Sequence, residues 1–169
     1  MSIDIAFTVL GLPQPGGSKR AFPFKGKDGR LHVSVSDANP KAKSWMLAVA
    51  MAARAAIGEN APLLTSALEL SVTFTFPRPK GHYGSGRNAG KVKASAPQYH
   101  TTRPDRTKLL RALEDALTGV LWKDDAQVVD GPTTKLYGEV AGAHVRVCTL
   151  PSPWSAMAAR LESAAEETT

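Results

Sequence analysis

Acidic side chains that could bind a metal ion are concentrated between residues 103 and 130. Asp105 stands at the start of a basic, helix-forming stretch, and the acid pair Asp124 and Asp125 precedes a strand-forming one. Carboxylates held close together repel unless a hard cation lies between them. Mg²⁺ binds such oxygens together with phosphate oxygens from a substrate. The arrangement therefore suggests a metal-dependent nuclease.

Basic residues surround the first of these acids. Lys108 and Arg111 follow Asp105 closely and could hold a phosphate. The net charge is +6, and between Arg78 and Arg111 Asp105 is the only acid among many cations. A surplus of this kind favours a polyanionic partner. The candidate DNA-binding residues are Arg78, Lys80, Arg87, Lys91, Lys93, Arg103 and Arg106.

Each feature also has a purely structural interpretation. Asp105 could serve only as a helix N-cap, and Asp124 with Asp125 could form a simple turn before a strand. Asp115 lies ten residues after Asp105, or roughly 15 Å along a helix, so it cannot share a metal with Asp105. We expect Asp115 at the surface or at a helix pairing.

Alternation of apolar and polar residues predicts the strands that position these side chains. The pattern is clear at 3–9 and clearest at 68–76, where Pro77 ends the ladder. Further strands are expected at 31–35, 126–129, 133–137 and 145–150, the one at 126–129 being buried.

Helical periodicity predicts three helices. The segment 37–40 supplies a capping residue and a proline for a helix that ends at Gly58. An amphipathic helix is expected from about 106 to 118, with Leu109, Leu113, Ala116 and Leu117 facing the core. A short C-terminal helix at 155–165 precedes a frayed tail.

Residues 77–104 lack periodicity and are rich in Gly, Lys and Arg. A loop of this length is usually functional or disordered, so we expect a mobile, DNA-contacting basic loop. The alternative is a solvated loop whose charges only keep the protein soluble.

The composition is that of one ordinary domain, with 169 residues of which 43% are hydrophobic. The single cysteine, Cys148, cannot form an internal disulfide, which fits a reducing compartment. No apolar run reaches the roughly 20 residues needed to span a bilayer. We therefore expect a cytoplasmic protein without a membrane partner.

Several motifs taken together resemble the RusA family of Holliday-junction resolvases, which is common in bacteriophages and prophages. They are Pro104-Asp105, Lys108-Leu-Leu-Arg111, Asp115-Ala-Leu117 and Trp122-Lys-Asp-Asp-Ala-Gln-Val-Val-Asp130. The combined spacing is more specific than any one motif. The resemblance implies an α+β fold with a mainly antiparallel mixed sheet flanked by helices. It also implies a single endonuclease domain that forms a homodimer. We place this domain at residues 1–154, followed by the C-terminal helix and frayed tail at 155–169.

The chemistry implied by the resemblance is Mg²⁺-dependent cleavage of four-way junction DNA in recombination and repair. Mn²⁺ is a possible substitute, and no small-molecule cofactor is implied. The family's first catalytic aspartate falls on Asp105, and the metal-binding member of its acid pair falls on Asp125, with Asp124 beside it. A lysine of the family's helix falls on Arg111, which keeps the charge but binds phosphate as a planar fork. Lys108 is expected to assist it.

One position departs from the family's pattern. Where the family has a second aspartate, this chain has Thr107, whose hydroxyl supplies no charge. Loss of one carboxylate could weaken metal binding or shift the load to Asp124. A catalytically impaired junction-binding protein is therefore the alternative to an active enzyme. A general nucleic-acid chaperone or RNA binder is a third, weaker hypothesis.

Overall fold

A computed structural model describes residues 3–16, 19–37 and 39–152. The predicted C-terminal helix and tail lie outside these residues. The strands are β1 (Asp4–Leu10), β2 (Lys19–Lys25), β3 (Leu31–Asp37), β4 (Leu68–Pro77), β5 (Val128–Asp130), β6 (Thr133–Gly138) and β7 (Gly142–Thr149). The helices are α1 (Lys41–Ile57) and α2 (Arg106–Leu117).

The central sheet has five strands, with β4 at its centre. β1 pairs with β7 and β7 with β4, both antiparallel, while β5 and β6 pair in parallel with successive parts of the other edge of β4. Gly131 separates β5 from β6 at a φ of 135°, and a Cβ there would overlap the carbonyl of Leu70. The predicted α+β class, mixed sheet and single domain are confirmed.

One face of this sheet forms the core. β4 alternates strictly, so that Leu70, Val72 and Phe74 are buried while the residues between them are only partly covered. Trp45 of α1 and Leu113 of α2 are buried in the same cluster. Both helices therefore pack on one face of the sheet, and the predicted strand at 68–76 and helix at 106–118 are confirmed. In the part of the chain that the structure describes, no helix is long and apolar enough to cross a membrane.

β2 and β3 form a separate two-stranded hairpin. The sequence predicted only its second strand. The first was missed because Pro23 interrupts it and because Phe22 and Phe24 remain about half exposed, which gives no amphipathic signal. Proline is tolerated where a strand is at an edge, as in this hairpin.

Two further expectations differ from the structure. Residues 126–129 are not a buried strand: a 3₁₀ turn at Asp125–Gln127 precedes β5, and Val129 is 62% exposed. Residues 77–104 contain two 3₁₀ turns, and the amide of Lys93 donates to the carbonyl of His82 at 2.9 Å. The segment therefore has local structure, while its mobility remains a prediction.

Candidate active site

Asp105 occupies the N-cap position of α2, but its side chain makes no capping hydrogen bond. Its Oδ2 atom lies 3.4 Å from Nζ of Lys108, and the two side chains are 56% and 55% exposed. The interpretation of Asp105 as a side-chain cap is therefore not supported. The carboxylate remains available to a cation from solvent.

Lys135 of β6 fixes the backbone that leads into Asp105. Its Nζ atom donates to the carbonyl oxygens of Thr102 at 2.7 Å and Pro104 at 2.5 Å. Burial lowers the pKa of Lys135, and the negative charge of Asp105 partly opposes that shift. No sequence pattern indicates this role of Lys135, because the residue is distant along the chain from the backbone that it contacts.

The two side chains of the acid pair have different roles: Asp124 caps a turn, and Asp125 is exposed to solvent. Oδ1 of Asp124 accepts from the amide of Ala126 at 2.9 Å, and Oε1 of Gln127 accepts from the amide of Asp124 at 3.1 Å. This reciprocal capping box holds the turn. The turn interpretation therefore holds for Asp124, whereas Asp125 is exposed at the first position of the turn.

Two anchors attach this turn to the core. The indole of Trp122 is fully buried, and its Nε1 atom donates to the hydroxyl of Thr118 at 3.2 Å. Nε2 of Gln127 donates to the carbonyl of Leu64 at 2.9 Å. The position of Asp125 is therefore fixed by the residues around it.

Glu114 was missed by the sequence analysis and lies near Asp125. Burial raises the pKa of Glu114, and the negative charges of Asp125 and then Asp115 raise it further. By helical spacing, Thr107, Arg111 and Glu114 form one stripe along α2. The spacing of these three residues is visible in the sequence, but the proximity of Asp125 to Glu114 depends on the tertiary fold.

The proposed metal ligands do not form a three-residue cluster. Within the ranges that the structure describes, no group of three or more His, Cys, Asp or Glu side chains is arranged to hold a metal ion. Asp105 and Asp125 nevertheless offer exposed, hard oxygen donors of the kind that Mg²⁺ prefers. Each of them could bind a cation whose remaining ligands are water and phosphate.

The predicted DNA-binding cations fall into two groups. Arg78 and Lys93 are used within the loop: Nη1 of Arg78 donates to the carbonyl of Pro97 at 2.7 Å, and Nζ of Lys93 donates to that of Gly81 at 2.9 Å. The remaining predicted cations are exposed. They are Lys80, Arg87, Lys91, Arg103 and Arg106.

An aromatic stack attaches the basic loop to the sheet. His100 is 9% exposed and stacks on Phe76, with 4.1 Å between ring centroids. The ring of Tyr137 lies 4.8 Å from that of His100, and the guanidinium of Arg78 lies 5.7 Å above Tyr137. Burial lowers the pKa of His100, and the charge of Lys135 lowers it further.

The exposed carboxylate of Asp105 lies beside the exposed ammonium of Lys108 at the start of α2, an arrangement suited to binding a metal ion and a phosphodiester. The chain belongs to the RusA family, since the model of the family described as endodeoxyribonuclease RusA matches residues 23–148. This confirms the resemblance seen in the sequence. The chain is also similar to the uncharacterized protein YqaN of Bacillus subtilis (strain 168), with 27% identity over 143 residues that cover 85% of this chain and 94% of YqaN.

Proposed function

We propose that this protein is a Mg²⁺-dependent endonuclease that cleaves four-way DNA junctions. The proposal rests chiefly on Asp105, whose carboxylate is uncapped and lies 3.4 Å from Lys108 at the start of α2. A carboxylate used for capping would have fewer free lone pairs for a metal. Membership of an endodeoxyribonuclease family supports DNA as the substrate.

Asp105 and Asp125 would hold the metal ion. Mg²⁺ bound there would supply Lewis-acid polarisation of the phosphate and a more acidic water. Asp124 would contribute through the turn that it caps, because its Oδ1 atom already accepts a backbone hydrogen bond. Its second oxygen could still assist.

Lys108 and Arg111 would bind the non-bridging oxygens of the phosphate. Lys108 can exchange the carboxylate of Asp105 for a phosphate oxygen with a small movement, because both groups are exposed. Arg111 presents a planar fork of donors from the same helix. Both charges would oppose the negative charge that develops on the phosphoryl oxygens.

Lys135 would act as a positioning residue. It touches neither of the proposed metal ligands directly but holds the two carbonyls that precede Asp105. A fixed backbone keeps the carboxylate in one place, and small displacements of a catalytic group reduce rates strongly. Its contribution should therefore appear in turnover more than in DNA binding.

We propose a homodimer, because a four-way junction offers two equivalent phosphates related by a twofold axis. The outer face of α1 supports this proposal. Leu47 and Met51 lie one helical turn apart on that face and are 61% and 64% exposed. Covering such side chains in an interface is favourable because it removes apolar surface from water.

The second candidate function is junction binding with impaired cleavage. Thr107 is exposed on α2 and supplies no charge, and in the described part of the chain no three-acid cluster compensates for it. The same basic loop would then bind DNA without efficient hydrolysis.

A labelled four-way junction, incubated with and without Mg²⁺ or Mn²⁺, separates the two functions on one gel. We expect symmetric nicks only with metal, and loss of cleavage in Asp105→Asn with junction binding retained. Asp115→Asn is the matched control, because Asp115 is an exposed acid on the same helix. Binding without cleavage at any metal concentration would favour the second function.

A further inference from the structure

A cleft opens beside Asp105, between the loop after β1 and the start of α2. Its volume is about 630 Å³. Small-molecule sites typically measure roughly 300–1,000 Å³, so the cleft could hold one nucleotide-sized group. Of its lining residues, the proposed metal and phosphate chemistry uses only Asp105 and Lys108.

The apolar half of the lining is made largely of rings. Leu12, Pro13 and Pro15 line one side, and Phe76 and Pro104 contribute to the lining. Rigid apolar surfaces of this kind suit a flat heterocycle, because contact removes both partners from water at little entropic cost.

Two amide side chains supply polar groups in the same cleft. Nδ2 of Asn39 donates to Oε1 of Gln14 at 3.1 Å and to the carbonyl of Pro15 at 3.3 Å. Nε2 of Gln14 in turn donates to the carbonyl of Leu12 at 3.2 Å. Both N–H groups of Asn39 are engaged in these bonds, whereas Gln14 keeps one N–H and one lone pair of Oε1. Gln14 can therefore still address the edge of a base.

The charges in the lining indicate what is attached to that heterocycle. Arg103 and Lys108 line the cleft together with Asp105. A group with a phosphate neighbour would place its ring against the apolar wall and its phosphate beside the cations. Charge and shape together therefore favour a nucleotide of the DNA over an uncharged ligand.

Both walls are fixed before any ligand binds. The amide of Gly16 donates to the carbonyl of Lys108 at 2.9 Å, which attaches the loop after β1 to α2. On the other side, Lys135 holds the carbonyl of Pro104. A preformed cleft loses little entropy on binding.

We infer that this cleft receives one unstacked nucleobase next to the phosphate to be cleaved, and that Gln14 contacts the edge of that base. The inference rests on the proposed function. Unstacking a base costs least where regular pairing and stacking are already disturbed, as at a crossover. The cleft would therefore give the nuclease a base preference at the cut.

Cleavage of a set of junctions tests the base preference directly. Each junction carries one of the four bases at a nucleotide flanking the cut. We expect the unmodified protein to favour one base by about tenfold or more, as a good amide contact provides. Gln14→Met keeps the length of the side chain but removes its donors and acceptors, and it should reduce the preference below about threefold. Asn60→Ala removes an exposed amide that does not line the cleft and should leave the preference intact.

A binding measurement without metal distinguishes failure of this inference from failure of the proposed function. Junctions carry 2-aminopurine at single positions around the crossover, and its fluorescence rises when the base unstacks. We expect a rise at one flanking position when the protein binds. Tight, metal-dependent cleavage with no unstacked position and an unchanged preference in Gln14→Met would overturn the cleft alone. Absence of junction binding would overturn both proposals.

Discussion

Replacing Lys135 with methionine should separate positioning of the site from binding of DNA. Methionine keeps the unbranched stem but removes both hydrogen bonds to the carbonyls of Thr102 and Pro104. Hydrogen bonds from a charged donor contribute about 1.5–3 kcal/mol each when they are shielded. Thr102 is exposed, so water can replace the bond to its carbonyl. We therefore expect a loss of roughly 1–3 kcal/mol in the free energy of unfolding.

Urea unfolding and single-turnover cleavage together measure this effect. Lys135→Met should lower the cleavage rate about tenfold or more, while the affinity for the junction changes little. Lys27→Met is the control, since Lys27 is exposed in the turn between β2 and β3. If Lys135→Met were as stable and as active as Lys27→Met, the backbone before Asp105 would not need this side chain. The positioning role would then be refuted.

Three further predictions concern the loop, the dimer and pH. Lys80→Ala combined with Lys91→Ala should flatten the plot of log affinity against log salt by about 2 units, because each lost phosphate contact removes roughly 0.9. Met51→Glu should convert the dimer into a folded monomer in sedimentation, because it places charges in the apolar interface. The free energy of unfolding should fall as the pH drops below 6.5, the ordinary pKa of histidine. Burial opposes protonation of His100 in the folded protein, whereas the same side chain in the unfolded chain accepts the proton. His100→Phe should reduce that fall in urea titrations at different pH.

The loop and dimer predictions each have a matched control variant. Arg78→Ala should reduce stability more than the salt slope, because Arg78 is bound within the loop. Val140→Glu should leave the dimer intact, since Val140 is as exposed as Met51 but lies outside α1. An unchanged salt slope in the double variant would exclude the loop from DNA contact. An unchanged pH dependence in His100→Phe would show that other groups control acid stability.

The sequence predicted the elements whose side chains are buried periodically. β4 buries every second residue, and α2 buries Leu109 and Leu113 one helical turn apart. The spacing of apolar residues in the sequence therefore matches the spacing of buried positions in these elements. Ala126 and Gln127 were predicted to begin a strand because apolar residues follow them, whereas the capping box of Asp124 places them in a 3₁₀ turn. Local hydrogen bonding here overrides strand propensity.

The candidate site was predictable only in part, for a related reason. Asp105 and Lys108 are neighbours along one helix, so their proximity follows from sequence spacing. The roles suggested for Lys135 and Gln14 depend on contacts between segments that are distant along the chain. No pattern within a single element encodes such contacts.

A Mg²⁺ titration of junction cleavage shows whether Asp105 and Asp125 hold a catalytic metal ion. The unmodified chain, Thr107→Asp and Asp125→Asn are compared on one labelled junction. A metal site between Asp105 and Asp125 predicts that Thr107→Asp lowers the Mg²⁺ concentration for half-maximal cleavage, because an added carboxylate strengthens a hard-oxygen site and an acid is tolerated in the first turn of α2. It also predicts that Asp125→Asn abolishes cleavage while the junction is still bound. Cleavage by Asp125→Asn at the unmodified rate, or an unchanged metal dependence in Thr107→Asp, would contradict the placement of the metal between Asp105 and Asp125.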